Sequence, residues 1–288
     1  MGETTKIEWC HSTFNPWVGC TRVSPACDFC YAESWAKRTG HPELWEGERR
    51  RTSAANWQQP LKWDRQAAAN GERRRVFCAS LADVFDNQVP ARWRDDLWHL
   101  IARTPNLDWL LLTKRPQNIS KMLPDPRTGV KPWGDRGWPN VWLGTTSENQ
   151  PEYNRRWPHL AAIPAVVHFI SYEPALGLLD IWAATGTAPD WVIAGGESGP
   201  KARAPHPDWF RRVCDDCAAA GIPFLFKQHG EWIGVPDLRH LPGGSGPGFG
   251  AYDHCFHDAE HEAVRVGKKA AGRMLDGREW NGFPEVRQ

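Results

Sequence analysis

Trp109-Leu110-Leu111-Leu112-Thr113-Lys114-Arg115 is a run of four large apolar residues that stops abruptly at a hydroxyl and two cations. A short unbroken apolar run reads as a strand covered on both faces, because a strand with one wet face would alternate. Outward from it the same shape recurs. Val76-Phe77-Cys78-Ala79-Ser80 runs into the polar loop Asp83 to Asn87, and Val141-Trp142-Leu143-Gly144 into Thr145 to Asn149. Val166 to Ile170 ends at Ser171, Tyr172 and Glu173; Trp191 to Ala194 at Gly195, Gly196 and Glu197; Phe224-Leu225-Phe226 at Lys227 and Gln228. Between the first two strands, Trp93, Leu97, Leu100 and Ile101 fall at helical spacing on one face. Such alternation predicts an α/β protein with a parallel sheet covered by helices. Polar groups follow each strand, where barrels and open α/β sheets place their working mouth. A single strand-end polar residue can equally cap a helix or satisfy a turn. Six converging ends predict a site.

The chain has 288 residues, with 35 Lys and Arg against 34 Asp and Glu, so its formal charge is +1 and any nucleic-acid face must be a local patch. The 41% apolar and 24% charged content describes a globular protein. The length suits one barrel domain over 1–288, with a basic, Trp-rich insertion at about 40–75 and a Gly/His-rich C-terminal extension at about 233–288. Trp is unusually frequent, 18 against 11 Phe and 4 Tyr, which supplies rings for packing or for stacking on a flat ligand. No run approaches the roughly 18–20 apolar residues of a membrane span, and Met1 to Trp9 has no apolar core of a secretion signal. The expected compartment is the cytoplasm, without membrane association. There the eight cysteines stay reduced, so clustered ones read first as metal ligands or catalytic groups.

Three cysteines cluster in Cys20-Thr-Arg-Val-Ser-Pro-Ala-Cys27-Asp-Phe-Cys30-Tyr-Ala. A Cys-x-x-Cys turn directs two sulfurs at one centre, and the Pro-bearing loop lets Cys20 return as a third. Three thiolates match either a structural zinc site, completed by Cys10 or His11, or a four-iron cluster with one iron free of protein ligands. Elsewhere, Cys214 and Cys217 share helical spacing with Phe210 and Val213 and read as a buried helix face. Cys255, with His254, His257 and His261, offers donors for a second metal.

The cluster resembles the radical S-adenosylmethionine (radical SAM) superfamily, whose signature is Cys-x3-Cys-x-aromatic-Cys. Cys27-Asp-Phe-Cys30 matches its second half, and the first gap is six residues instead of three. Lys6-Ile-Glu-Trp9, Thr13-Phe-Asn-Pro-Trp17, Ser80-Leu-Ala-Asp83, Leu112-Thr-Lys-Arg-Pro116, Tyr172-Glu-Pro174, Gly195-Gly-Glu-Ser-Gly199 and Gly267-Lys-Lys-Ala-Ala-Gly272 are similar to the phage Gp37/Gp68-type family, DUF5131 or three-Cys-motif proteins.

That resemblance implies a radical SAM-like partial TIM barrel holding a [4Fe-4S] cluster on Cys20, Cys27 and Cys30. It also implies S-adenosyl-L-methionine cleaved to a 5′-deoxyadenosyl radical, and an external one-electron reductant of the flavodoxin or ferredoxin type. On this reading Ser80 and Asp83 would accept the SAM ammonium, Lys114 or Arg115 would hold its carboxylate, and Thr146, Glu148 or Asn149 its ribose. Glu173 and the Gly195-Gly196-Glu197 turn would lie nearer adenine or substrate. Cys78, Cys10 or Cys255 would return a hydrogen atom. Arg49–Arg51 and Arg73–Arg75 interleaved with Trp45, Trp57 and Trp63, and Lys268, Lys269 and Arg273 in the tail, suit phosphates and stacked bases. DNA or RNA is therefore the expected substrate, by lesion repair similar to spore photoproduct lyase or by base modification. A zinc-stabilised nucleic-acid binder without catalysis, and a radical enzyme acting on a small molecule or peptide, are the competing readings.

Overall fold

The computed structural model describes residues 3–240 and 253–285. Twelve strands lie in chain order: β1 Ser12–Thr13, β2 Trp17–Val18, β3 Arg50–Arg51, β4 Arg74–Cys78, β5 Leu107–Thr113, β6 Val141–Thr146, β7 His168–Tyr172, β8 Trp191–Gly195, β9 Phe224–Gln228, β10 Trp232–Gly234, β11 Asp253–Phe256 and β12 Glu262–Arg265. The helices are α1 Tyr31–Arg38, α2 Ala54–Asn70, α3 Ala91–Ala102, α4 Ile119–Met122, α5 Gln150–Ala161, α6 Pro207–Ala220 and α7 Lys268–Ala271. Seven strands form one sheet in the order β1-β4-β5-β6-β7-β8-β9, every pairing parallel. Spatial order follows chain order without reversal, which is barrel winding, whereas a doubly wound sheet reverses at a switch point. The fold is the expected partial TIM barrel.

All six long strands stand where the apolar runs place them, and both their faces are buried. Val76, Cys78, Trp109, Leu111, Val141, Leu143, Ile170, Val192, Ala194 and Phe226 face the helices and share one core with Trp63, Leu97, Trp157, Phe210 and Val213. Their alternate neighbours Phe77, Leu110, Trp142, Phe169, Ile193 and Leu225 fill the other side with Trp9 and Cys10 from the N-terminal segment. Trp9 packs 4.5 Å from Phe77, centroid to centroid, and so plugs the barrel. Gly144 is small because a Cβ there would stand 2.3 Å from the Phe169 ring.

Local chemistry sets the helix ends. Ser53 caps α2 and Gly71 closes it at φ 65°; Asn149 caps α5; His206 caps α6, which ends at Gly221 with φ 68°. Cys214 and Cys217 lie on the buried face of α6. β10, β12 and β11 make a separate antiparallel sheet, β11 and β12 being its hairpin. Residues 241–252 of the Gly/His-rich extension lie outside the described residues. Among the described residues no helix is long and apolar enough to cross a membrane.

The tryptophans mostly pack. Trp98, Trp133 and Trp138 form a ring cluster with centroids 5.7–6.0 Å apart. The basic stretch at 45–75 is likewise engaged within the molecule. Arg49 pairs with Asp86 at 2.6 Å, both buried, and Arg73 with Asp108 at 2.7 Å. Arg51 pairs with Asp96 and lies over Trp57; Arg74 bonds Ser12 and lies over Trp63, itself buried in the helix-facing core.

Candidate metal centre

A cavity of about 490 Å³ opens at the carboxyl ends of the barrel strands. Cys20, Cys27 and Cys30 line it together, beside Ser80 after β4, Thr113 to Arg115 at the end of β5, Thr146 of β6, Ser171 of β7 and Glu173 just after it, and Lys227 of β9. The loop bearing the thiols is tied down at both ends. Gly19 N–H donates to Leu81 O at 3.0 Å and Cys20 N–H to Leu44 O at 2.9 Å. At the far end Cys30 is the cap residue of α1.

Three acid–arginine pairs from three strand ends, two of them buried and the third half-exposed on its arginine side, clamp that loop. Asp83 accepts from Thr113 Oγ1 at 2.7 Å, Phe85 N–H at 2.9 Å, Lys114 N–H at 3.1 Å and Arg115 Nη1 at 3.1 Å. Arg115 in turn reaches Cys20 Sγ at 3.6 Å and the Thr21 hydroxyl and carbonyl at 2.8 and 3.0 Å. Glu148 after β6 pairs with Arg156 of α5 at 2.7 Å and accepts from Ala26 N–H at 3.2 Å. Glu197 after β8 holds Arg203 in a fork at 2.6 and 2.8 Å, and Arg203 bonds the Pro25 carbonyl at 2.9 Å and Asp28 at 3.2 Å. The thiols are therefore held by the barrel through cations that each end on the cysteine loop or on the acid bonded to it.

These contacts correct several sequence expectations. Asp83 and Arg115 line the cavity, but their polar atoms already face each other and the Cys20 loop. Glu148 and Glu197 lie outside the cavity wall. Gly196 approaches protein and not a ligand: a Cβ there would meet the His229 carbonyl oxygen at 1.8 Å. Burial pushes the Glu148 carboxyl up, but the Arg156 guanidinium, hydrogen bonds to the carboxylate and the charge of Lys114 together outweigh it and hold it below the usual carboxylate range. Burial pushes the Cys20 thiol up, Asp83 adds to the rise, and Arg115 opposes it.

The cavity retains polar groups with capacity to spare. Ser80 Oγ accepts from Asn15 Nδ2 at 2.9 Å, which leaves its O–H free to donate, while its carbonyl takes the Tyr31 hydroxyl at 2.6 Å. Glu173 and Lys227 pair at 2.8 Å. Burial would lower the Lys227 ammonium, but Glu173 prevails and holds it above its ordinary value, so it remains charged at neutral pH. Lys6, Lys114 and Lys268 line the same cavity and have no ion-pair partner among the described residues. Trp45 lines it as well, the one tryptophan of the 45–75 stretch to do so.

The proposed hydrogen donors do not line it. Cys78 is 0% exposed and faces the helices, and burial alone pushes its thiol far up. Strand β4 is covered on both faces, so the sequence leaves open which of Phe77 and Cys78 turns inward; Phe77 does. Cys10 packs in the barrel interior, where burial pushes it up to about 12. Cys255 stands on β11 of the small sheet. Replacing Cys78 with Ala should therefore cost about 1 kcal/mol of stability and leave turnover unchanged; an abolished turnover in a folded variant would return Cys78 to the reaction.

The donor set fits an iron–sulfur cluster better than zinc. Neither residue expected to complete a zinc tetrahedron is at the thiols: Cys10 is packed inside the barrel, and His11 accepts from Arg75 N–H at 2.9 Å. Thiolates 2.3 Å from one zinc ion stand roughly 3.8 Å apart in a tetrahedron. Among the described residues the set of three metal-ligating atoms gathered within 4.8 Å is His206, Asp258 and His261, not the thiols. Three thiols on one wall suit a cube of four irons with one iron free of protein ligands.

Arg156, Arg203, Tyr31 and Lys227 are absent from the sequence-based assignments. Arg156 had a signal: it falls with Tyr153, Trp157 and Leu160 on the buried face of α5, where an arginine requires a buried carboxylate.

No curated protein matches the chain in sequence. Solved structures of spore photoproduct lyase are similar at low identity. One variant of that enzyme has 12% identity and a TM-score of 0.45, over 92% of this chain and 72% of its own. Another, solved with bound AdoMet and dinucleoside spore photoproduct, has 11% identity and a TM-score of 0.42, over 88% and 67%. The lyase complexed with dinucleoside spore photoproduct has 12% identity and a TM-score of 0.41, over 86% and 66%. This chain thus spans about two thirds of their length. A family model described as a protein of unknown function, DUF5131, matches residues 4–284, and the chain belongs to that family.

Proposed function

We propose that this chain is a radical SAM enzyme acting on nucleic acid, with Cys20, Cys27 and Cys30 holding a [4Fe-4S] cluster. The observation behind this reading is the set of three thiols on the wall of a strand-end cavity, clamped by three acid–arginine pairs. When bound and reduced by an external flavodoxin- or ferredoxin-type donor, the cluster and S-adenosylmethionine supply a 5′-deoxyadenosyl radical.

The chain's own residues bind and orient. Lys114 is the cation for the methionine carboxylate, Glu173 offers carboxylate oxygens to the ammonium, and the Ser80 and Thr146 hydroxyls suit the ribose. Asp83 and Arg115 act as positioning residues that fix Cys20. Trp9 and Phe77, which also line the cavity, exclude water beneath it. Lys6 and Lys268 stand where a phosphate backbone would enter, and Trp45 offers a face to an extruded base. DNA-lesion repair similar to that of spore photoproduct lyase, or base modification, is the reaction class.

Three measurements follow. Anaerobic enzyme given reductant and S-adenosylmethionine should release 5′-deoxyadenosine faster with a damaged or unmodified oligonucleotide than without one; turnover on a small molecule with no oligonucleotide affinity would overturn the nucleic-acid assignment. Lys6 and Lys268 predict a duplex-binding salt slope of about −2, and Lys268→Gln should reduce its magnitude by about 1. Asp83→Asn should lower stability by about 1.5–3 kcal/mol through the lost charged hydrogen bonds, read by urea unfolding. A smaller iron content in the folded variant would accompany it, because Arg115 then loses the charge that anchors it.

A further inference from the structure

A second cluster of donors lies apart from the cavity. The turn between β11 and β12 places His257, Asp258 and His261 against the start of α6, where His206 is the cap residue. His206 Nε2 is 3.4 Å from Asp258 Oδ2, and His261 Nδ1 is 2.8 Å from Asp258 Oδ1. The His206 and His261 rings are 4.4 Å apart, centroid to centroid. One ligand atom from each of the three residues lies within 4.8 Å of the others. Two like rings and a carboxylate facing one point are an unusual way to finish a hairpin turn, and they match the N/O donor set of a zinc-class ion.

The surrounding contacts point the same way. His261 Nε2 is 2.8 Å from Asp208 Oδ2, so its N–H can donate there while Nδ1 faces Asp258. That is the carboxylate–histidine–metal arrangement, in which the outer acid fixes tautomer and ring. His257 packs 5.1 Å from His206, and its Nε2 is buried with no hydrogen-bond partner. Its other nitrogen bonds the Pro205 carbonyl, which leaves the lone pair of Nε2 available.

We propose that His206, Asp258 and His261 form a divalent transition-metal site of the zinc class that pins the β11–β12 hairpin to α6, with His257 or water as the fourth donor. His206 Nδ1 accepts from Asp208 N–H at 3.1 Å, so its neutral ring keeps a proton on Nε2. Ligation through Nε2 requires the tautomer with its proton on Nδ1, so the cap bond from Asp208 N–H gives way to the metal bond. The site is independent of the radical reading, since none of its residues lines the cavity.

The test uses the full chain, stripped with chelator and titrated with Zn²⁺ and then Co²⁺, beside Asp258→Asn and His261→Gln. The cavity thiols will also take these ions, but a Co²⁺–thiolate centre shows near-ultraviolet charge transfer and a His/Asp centre does not. The proposal expects, beside the charge-transfer bands of the thiol-bound ion, a second Co²⁺ equivalent whose visible bands add no thiolate charge transfer in the wild type, its affinity weakened about tenfold to hundredfold in each variant. It also expects a Zn²⁺-dependent rise in melting temperature that both variants lose while their metal-free melting temperatures stay put. Equal stoichiometry, affinity and melting response in all three proteins would overturn it, whatever occupies the thiols.

Discussion

Replacing Arg156 with Met should destabilise the protein by about 3–5 kcal/mol, a large part of the roughly 5–15 kcal/mol that holds a domain folded. Arg156 is 1% exposed and Glu148 fully buried, so removing the guanidinium strands a carboxylate away from water. The Arg156→Met/Glu148→Leu double variant should recover most of the loss, because an apolar pair of similar volume replaces a buried ion pair at little net cost. Urea midpoints of the three proteins at constant slope read both effects. The pair also predicts a pH dependence. The folded Glu148 carboxyl lies below its ordinary value of 4.5. Its contribution is therefore complete above about pH 4.5 and lost as pH falls through the lower folded value. A wild-type midpoint that drops at acid pH no faster than that of the double variant would contradict this.

Replacing Cys30 with Ala should remove nearly all iron while leaving the fold intact. Cys30 is half-buried, and its backbone, not its side chain, begins α1. The mutation deletes one donor of three, and a cluster held by two thiolates plus solvent does not survive purification or chelator challenge. Iron per chain should fall from about four to near none, with far-ultraviolet circular dichroism and urea midpoint almost unchanged. Retention of full iron would show that Cys30 is not a ligand.

The barrel was legible because parallel strands buried on both faces leave unbroken apolar runs, and each ends at polar residues that mark the mouth. The thiol trio was legible for a similar reason: its donors are adjacent in the chain. The roles of the acids were not. Asp83, Glu148 and Glu197 stand at the strand ends that the sequence indicates, but their partners Arg115, Arg156 and Arg203 come from a strand terminus, a helix and a loop. Only the folded chain shows the acids turned toward those cations. Cys78 illustrates a different limit. Strand periodicity assigns alternate residues to opposite faces, but when both faces are apolar it does not say which is inside. In the basic stretch at 45–75, Arg49, Arg51 and Arg73 meet Asp86, Asp96 and Asp108, acids beyond that stretch in the chain, so these pairings were not legible from its composition.

The most direct test of the central claim is metal analysis with electron paramagnetic resonance on anaerobically isolated wild-type protein, before and after S-adenosylmethionine is added to the reduced sample. The account predicts a brown protein with about four irons and a reduced-cluster signal that shifts when S-adenosylmethionine binds. A colourless protein whose three cavity cysteines enclose one zinc ion, silent after reduction, would contradict it.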